Sequence, residues 1–217
     1  MILHDWVLSP NCYKVRLMAA LTGQPLEQRA VNFYPGREHL SSEYLALNPA
    51  GTLPILQDGD LTLTESGAML AYLADKADGW MGDGSAATTA RIQQWLAFAE
   101  RLTRTAGVAR AIDMLDQGGS LAEAQAAGRT CLRELEEHLT ERRIDGGIFL
   151  TGDTATIADI ACFPHVMLAP DGGLRLDPYP SIRLWTRAVR ALPGFVEMPG
   201  IHRLHELMPE PEMEQLV

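Results

Sequence analysis

The sequence predicts an α+β chain, with an N-terminal βαβ-ββα unit followed by an all-α helical bundle. Three observations carry this. Strand-like and helix-like segments alternate over the first third. A turn pair, Asp58-Gly59, separates two short apolar runs. Beyond the glycine-rich stretch from Asp78 to Ser85 the strand-type pattern gives way to helical spacing. The 217 residues, 47% apolar and 21% charged, allow one large domain or two small ones and can form cores without disulfide staples.

Ile2 to Leu8 is a short apolar stretch that ends at Ser9-Pro10 and reads as a strand. Tyr13 to Leu21 sets Val15, Met18, Ala19 and Leu21 on a helical repeat before the stop at Gly23-Gln24-Pro25. Arg29 to Phe33 can form a second strand, followed by a loop with Pro35-Gly36 and a short helical turn from Ser41 to Leu47. Leu53 to Leu56 and Leu61 to Leu63 flank Asp58-Gly59, whose glycine tolerates positive φ, so a hairpin is expected. Ala68 to Lys76, with Met69, Leu70, Tyr72 and Leu73, suits a packed helix with Ser66 near its N-cap. This order is a thioredoxin-like layout, expected to span residues 1–78.

Residues 86–217 should form the helical domain. Ile92, Trp95, Leu96, Ala99 and Leu102 recur at helical spacing, as do Leu121, Ala124, Leu132, Leu135 and Leu139, with Gly118-Gly119 and Gly146-Gly147 as punctuation. Thr156-Ile157-Ala158-Asp159 has the form of a capping box, opening a helix expected to reach Ala169 and to bend at Pro164. A last helix, about Ser181 to Ala191, stops at Leu192-Pro193-Gly194.

Charge and cysteine usage exclude several classes. A formal net charge of −10 without a basic block disfavours nucleic acid and anionic lipid, so an anionic ligand must be held locally. Three separated cysteines without a Cys-x-x-Cys pair point to reduced thiols in the cytoplasm. The N-terminus lacks a basic region followed by an apolar stretch, and no apolar run approaches the roughly 18 residues of a membrane helix. His202-x-x-His205 lacks a third ligand and reads as two solvated histidines, so no metal is expected.

The loop between the first strand and the first helix reads Ser9-Pro10-Asn11-Cys12. In thioredoxin-like layouts it presents a nucleophile at a helix N-terminus, where free N–H groups and the dipole favour a thiolate. Dithiol exchange would need Cys at position 9. Ser9 and Asn11 instead offer hydrogen bonds to a thiolate supplied by a ligand, and Ser9 equally suits a plain helix cap. Taking a thiol from a pKa of about 8.5 down by about 2 units requires about 2.7 kcal/mol of differential stabilisation. One or two charge-assisted hydrogen bonds and a helix N-terminus are of that order.

Asn48-Pro49-Ala50-Gly51-Thr52-Leu53-Pro54 resembles a tight turn into an edge strand. A cis peptide before Pro54 would expose the Leu53 N–H and C=O to an extended peptide. Glu65-Ser66 stands at a strand-to-helix junction, where a hydroxyl and free N–H groups can hold a carboxylate while Glu65 meets an ammonium, or where Ser66 is simply a cap. Arg37 and His39 could add positive charge for a second carboxylate or remain solvated.

Ser9-Pro10-Asn11-Cys12-Tyr13-Lys14-Val15-Arg16, Asn48 to Pro54, Glu65-Ser66 and Thr156-Ile157-Ala158-Asp159-Ile160-Ala161, in that order, resemble the cytosolic glutathione S-transferases over nearly the whole chain. Tyr179-Pro180 through Trp185, with Arg187 and Leu192-Pro193-Gly194-Phe195, looks like the last helices of bacterial members. The resemblance implies a serine-type enzyme whose activating hydroxyl falls on Ser9, with Asn11 as second candidate by similarity to nu-type members. Asp5, Trp6 and Val7 stand where tyrosine-using classes would place Tyr. The resemblance further implies Thr52, Leu53 and Pro54 as the clamp for the cysteinyl part of glutathione. Glu65 and Ser66 would hold the γ-glutamyl end, His39 would lie near the glycine carboxylate, and Asp159 would be a folding cap. It implies a homodimer that uses glutathione as co-substrate, without a metal, and attacks a small electrophile. Isomerisation, dehalogenation or disulfide reduction at the same site, or a non-catalytic binding or scaffold role, are the alternatives. Cys12, one turn into the helix, is expected to be buried or inert, with a mixed disulfide as the other option.

Overall fold

Four short strands share one mixed sheet in the computed structural model, which describes residues 1–198. β1 (Ile2–Asp5) is parallel to β2 (Glu27–Ala30) and antiparallel to β3 (Ile55–Asp58), and β3 pairs antiparallel with β4 (Leu61–Leu63). The order is β2-β1-β3-β4. α1 (Pro10–Leu21) crosses between β1 and β2, α2 (Ser42–Leu47) precedes β3, and α3 (Ser66–Asp75) follows β4. α1 packs on α3. Leu3, Val15, Leu17, Met18, Ile55, Leu56, Met69, Leu70 and Leu73 are all buried, forming the core of this unit. The βαβ-ββα order agrees with the sequence expectation.

Boundaries moved for identifiable reasons. β1 ends at Asp5 rather than Leu8 because the chain turns there, with the Ser9 N–H donating to the Trp6 carbonyl at 2.8 Å. α1 therefore begins at Pro10, whose missing N–H and fixed φ suit a first helical position. β2 covers Glu27–Ala30, not Arg29 to Phe33, and all four residues are exposed. An edge strand of this kind is defined by its ladder to β1 and has no hydrophobic alternation to read. The β3–β4 hairpin turns through Gly59 at φ 59°, the left-handed region that favours glycine. Across it, the Asp58 carboxylate accepts from the Tyr72 hydroxyl at 2.7 Å and pairs with Lys76, tying the hairpin to the end of α3.

The chain divides into two compact units, Met1–Asp78 together with residues 193–198, and Gly79–Leu192. The division read from the sequence lacked this returning segment. Val196 accepts the Tyr13 hydroxyl at 2.7 Å, and Gly194, at φ 86°, runs so near α1 that a Cβ there would meet the Ala20 carbonyl at 3.0 Å.

The second unit is helical: α4 (Ala86–Leu102), α5 (Val108–Leu115), α6 (Leu121–Ile144), α7 (Ile157–Met167) and α8 (Pro180–Arg190). Ser85 caps α4, accepting the Thr88 N–H at 3.2 Å. Thr103–Gly107, between α4 and α5, is a π-helical turn. The Thr103 hydroxyl donates to the Ala99 carbonyl at 3.0 Å and lies 2.9 Å from His165 Nε2, so it accepts the Nε2–H. A Cβ on Gly107 would lie 2.9 Å from Nδ1 of the same ring, so the residue there must be small. α7 contains Pro164 and ends at Met167, two residues short of Ala169, where a 3-10 turn (Ala169–Gly172) takes over. No helix among the described residues is long and apolar enough to cross a membrane.

The capping box at Thr156 is present, and its acid reaches further than a cap. Asp159 is fully buried in α7, and its carboxylate accepts from the Thr156 N–H at 2.9 Å, the Leu150 N–H at 3.0 Å and the Trp185 Nε1–H at 2.9 Å. Burial pushes its pKa up while these donors oppose the shift. One side chain thus joins α7, the loop before it and α8. Asp159→Ala, which strands three buried donors, is expected to cost about 3 kcal/mol or more, seen as a lower denaturant midpoint. Asp159→Asn, which keeps an acceptor, should cost less, and an unchanged midpoint in the alanine variant would contradict this role.

Candidate active site

Strand direction alone gathers the candidate residues. His4 stands opposite Ile55 and Leu56 opposite Leu63, so the ends of β1 and β4 and the start of β3 share one end of the sheet. Parallel pairing puts the end of β2 there too. The loop carrying Ser9, the turn carrying Thr52, Leu53 and Pro54, and the junction carrying Glu65 and Ser66 all emerge at that end.

Ser9 is the N-cap of α1, with its backbone extended at φ −81° and ψ 121°. Its Oγ accepts the Cys12 N–H at 3.2 Å. A hydroxyl that accepts through a lone pair keeps its own hydrogen to donate, so capping and donation to a thiolate are compatible. Asn11, half-buried, is the second residue of the same helix.

The turn between β1 and α1 is held by a buried ion pair. Arg16 Nη1 contacts both Asp5 oxygens, at 2.6 Å and 2.5 Å, and Nη2 donates to the Val7 carbonyl at 3.0 Å. Both side chains are at least 90% buried, at 6% and 7% relative exposure. Asp5 ends β1 and Arg16 lies in the second turn of α1, so the pair fixes the approach of strand to helix. The sequence reading missed it, since the residues are eleven apart and only the fold brings them together.

Leu53 is buried beside a cis peptide to Pro54. The β1–β3 ladder ends at the His4–Ile55 pair, so the Leu53 main chain lies past it. Thr52 is exposed, and its carbonyl and hydroxyl accept from the Asn48 amide at 2.8 Å and 2.9 Å, which closes the turn. At α3 the N-cap is Glu65, with no side-chain capping bond, and Ser66 is the first helical residue. Ser66 is buried and Glu65 exposed. The first-turn N–H groups of α3 are therefore not capped by that side chain, an arrangement suited to an anion.

His39 departs from the reading of a solvated cation. It is 8% exposed, in a 3-10 turn (Glu38–Leu40), with its ring stacked on Phe33. Burial, and then the Arg37 guanidinium, pushes its pKa below the usual histidine range. At neutral pH it offers an N–H donor rather than a charge. Phe33 in turn stacks on Trp6, and both pack against a buried cluster of Cys12, Val31, Tyr44, Leu53 and Ile55. That cluster brings the Ser9 loop, the Leu53 turn and the His39 loop together. The aromatic residues gave no such signal in the sequence, where Phe33 counted as strand.

Cys12 shows why position on a helix end does not suffice. It is fully buried, and its pKa is pushed up to about 12, first by burial and then by Asp5, which together outweigh hydrogen bonds from Ser9 and Trp6. Cys131 and Cys162 are buried too, and none of the three is in a disulfide. Among the described residues no group of three or more His, Cys, Asp or Glu could hold a metal ion, and His202 and His205 lie outside the described residues.

Comparison with known proteins gives a consistent picture. Residues 3–80 match the family model for the glutathione S-transferase N-terminal domain and residues 93–188 that for the C-terminal domain. The human glutathione S-transferase theta-2B is 31% identical over 198 residues, covering 88% of this chain and 80% of the relative. A crystal structure of a possible glutathione S-transferase from Rhodopseudomonas palustris superposes with a TM-score of 0.83 at 29% identity, over 93% of this chain and 98% of the other. A glutathione transferase from Burkholderia graminis, solved with two glutathione molecules per subunit, aligns with a TM-score of 0.75 at 28% identity, over 89% and 84% of the two chains.

The buried thiols make a direct prediction. Native protein should show almost no titratable thiol with an aromatic disulfide reagent at pH 8, and all three on denaturation. Because the folded pKa of Cys12 is raised, its contribution to stability is complete below the unfolded value of 9.0 and is lost as pH rises from there to about 12. The stability difference between native protein and Cys12→Ala should shrink across that window. A constant difference would contradict the burial of this thiol.

Proposed function

The chain belongs to the glutathione S-transferase family, and on that premise we propose that it is a serine-type glutathione transferase acting on a small electrophile. The observation that most supports this is the Ser9 hydroxyl, which caps α1 through its oxygen and retains a hydrogen at the helix N-terminus. In this reading the cysteinyl main chain of glutathione pairs with Leu53 beyond the end of the β1–β3 ladder, next to Thr52 and Pro54. The γ-glutamyl carboxylate meets Ser66 and the start of α3, its ammonium meets Glu65, and neutral His39 donates to the glycyl carboxylate.

Ser9 then donates to the sulfur, assisted by Asn11 and the α1 dipole. A charge-assisted hydrogen bond is worth about 1.5–3 kcal/mol and a helix terminus about 0.3–1 kcal/mol, enough together to make the thiolate the main species near neutral pH. The thiol proton passes to solvent, the sulfur lone pair forms the bond to the electrophilic carbon, and the displaced group leaves with its electron pair. Asp5 and Arg16 act before this step, by setting where Ser9 stands.

Calorimetric titration should show glutathione binding, and turnover should appear with a chromogenic aryl halide. Ser9→Ala is expected to lower kcat/KM about ten- to hundredfold, whereas Ser9→Thr, which keeps the hydroxyl and the cap, should retain most activity. Binding without turnover would instead favour a non-catalytic member. We further propose a homodimer, on family resemblance, and expect a sedimenting species of twice the 23.8 kDa chain mass at micromolar concentration. A monomer would refute it.

A further inference from the structure

Trp6, Phe33 and His39 form a column of rings contributed by two loops, Trp6 from the connection between β1 and α1, Phe33 and His39 from that between β2 and α2. Trp6 and Phe33 lie 4.8 Å apart between centroids with planes 23° apart, and Phe33 and His39 lie 3.9 Å apart at 20°. Trp6 belongs to the Ser9 turn, since its carbonyl accepts the Ser9 N–H at 2.8 Å. Phe33 follows β2, and its main chain is fixed on both sides: its N–H donates to the Val31 carbonyl at 2.8 Å, and its carbonyl accepts from Arg37 at 3.2 Å. The loop is closed again by the Asn32 N–H on the Glu38 carboxylate at 2.7 Å.

The two ends of the column are restrained unequally. Ser9 is placed by its own turn bond, by the Cys12 N–H on its oxygen, and by the Asp5–Arg16 pair. The His39 ring has no comparable set. Its Nδ1 is enclosed and without a hydrogen-bond partner among the described residues, and its face rests on Phe33. The orientation of the imidazole is therefore decided chiefly by the flat surface beneath it.

We propose that Phe33 is a positioning residue of the glutathione site, which sets the His39 imidazole for the glycyl end of the tripeptide and, through its other face, ties it to the turn carrying Ser9. This rests on the reading of the site as a glutathione site. Phe33 acts through His39 and does not itself touch the reacting sulfur. Because Ser9 keeps its own restraints, loss of the Phe33 ring loosens the glycyl end while leaving the hydroxyl in place, so the effect falls on binding rather than on the chemical step.

The test combines variants at both positions with calorimetric titration of glutathione and steady-state kinetics with an aryl halide. Phe33→Leu and Phe33→Met, which keep bulk without an aromatic face, should raise Kd and KM for glutathione about three- to tenfold. At saturating glutathione, kcat should stay within about twofold. Phe33→Tyr should restore affinity. On a His39→Ala background, which should itself weaken binding to a similar extent, Phe33→Leu should add little, because the two act as a unit. Should one variant fail to fold, as judged by melting temperature, the other and the tyrosine replacement carry the comparison. Unchanged affinity, a fall in kcat at constant KM, or full additivity with His39→Ala would overturn the proposal. If native protein binds no glutathione, the reading of the site fails and this proposal with it, a result distinct from native binding that the Phe33 variants leave intact. The Kd comparison holds even if no turnover is found.

Discussion

The contact between Asp5 and Arg16 is the constraint from which the rest of the first unit follows. Removing two charges from water costs several kcal/mol per ion, and only close two-point geometry with further hydrogen bonds offsets it. Here the guanidinium reaches both carboxylate oxygens and the Val7 carbonyl. Such a pair adds little net stability over a well-packed apolar substitute, but few other arrangements of strand and helix satisfy it. Once it is made, β1 must end where it does, the chain must turn within Trp6 to Ser9, and α1 must start with Pro10. The Ser9 hydroxyl thus owes its place in part to a charge pair it never touches, alongside its own turn bond to Trp6 and the Cys12 N–H on its oxygen.

Two residues at the start of that helix show how burial decides between opposing effects. Ser9 and Cys12 share the same helix end and one hydrogen bond. The dipole and the donors favour a thiolate at this place, yet for Cys12 the loss of solvent dominates, with the Asp5 carboxylate adding to it, and the thiol stays protonated. A thiol carried on the inward side of the helix is thus kept from ionising despite its place at the helix end.

Much of the fold was legible because it depends on local chemistry. Gly59 in the hairpin, Ser9 ahead of Pro10, Ser41 before α2 and the Thr156–Asp159 box are each specified within a few residues, and the structure has them as caps and turns. What escaped depends on residues distant in sequence. β2 is polar and exposed, so nothing but its partner marks it as a strand. The π-helical turn at Thr103–Gly107 fits around His165, some sixty positions later. His39 looked like a surface cation because its sequence neighbours are polar, and its environment is set instead by Phe33. At the candidate site the sequence offers residue types and their order, while the Asp5–Arg16 pair and the stacked rings of Trp6, Phe33 and His39 are contacts that only the fold makes.

The returning segment gives the first unit an unusual relation to its own chain. Residues 193–198 lie against α1, with the Tyr13 hydroxyl on Val196 and a glycine where the backbones come nearest. That unit is therefore continuous in space but interrupted in sequence, with the whole helical unit inserted between its two pieces. During synthesis from the N-terminus, the sheet and its first helix emerge long before the piece that completes them. The second unit has to leave the ribosome before the first can close. A gene fragment cut at the boundary near residue 78 would encode most of the first unit but not the strip of chain that finishes it.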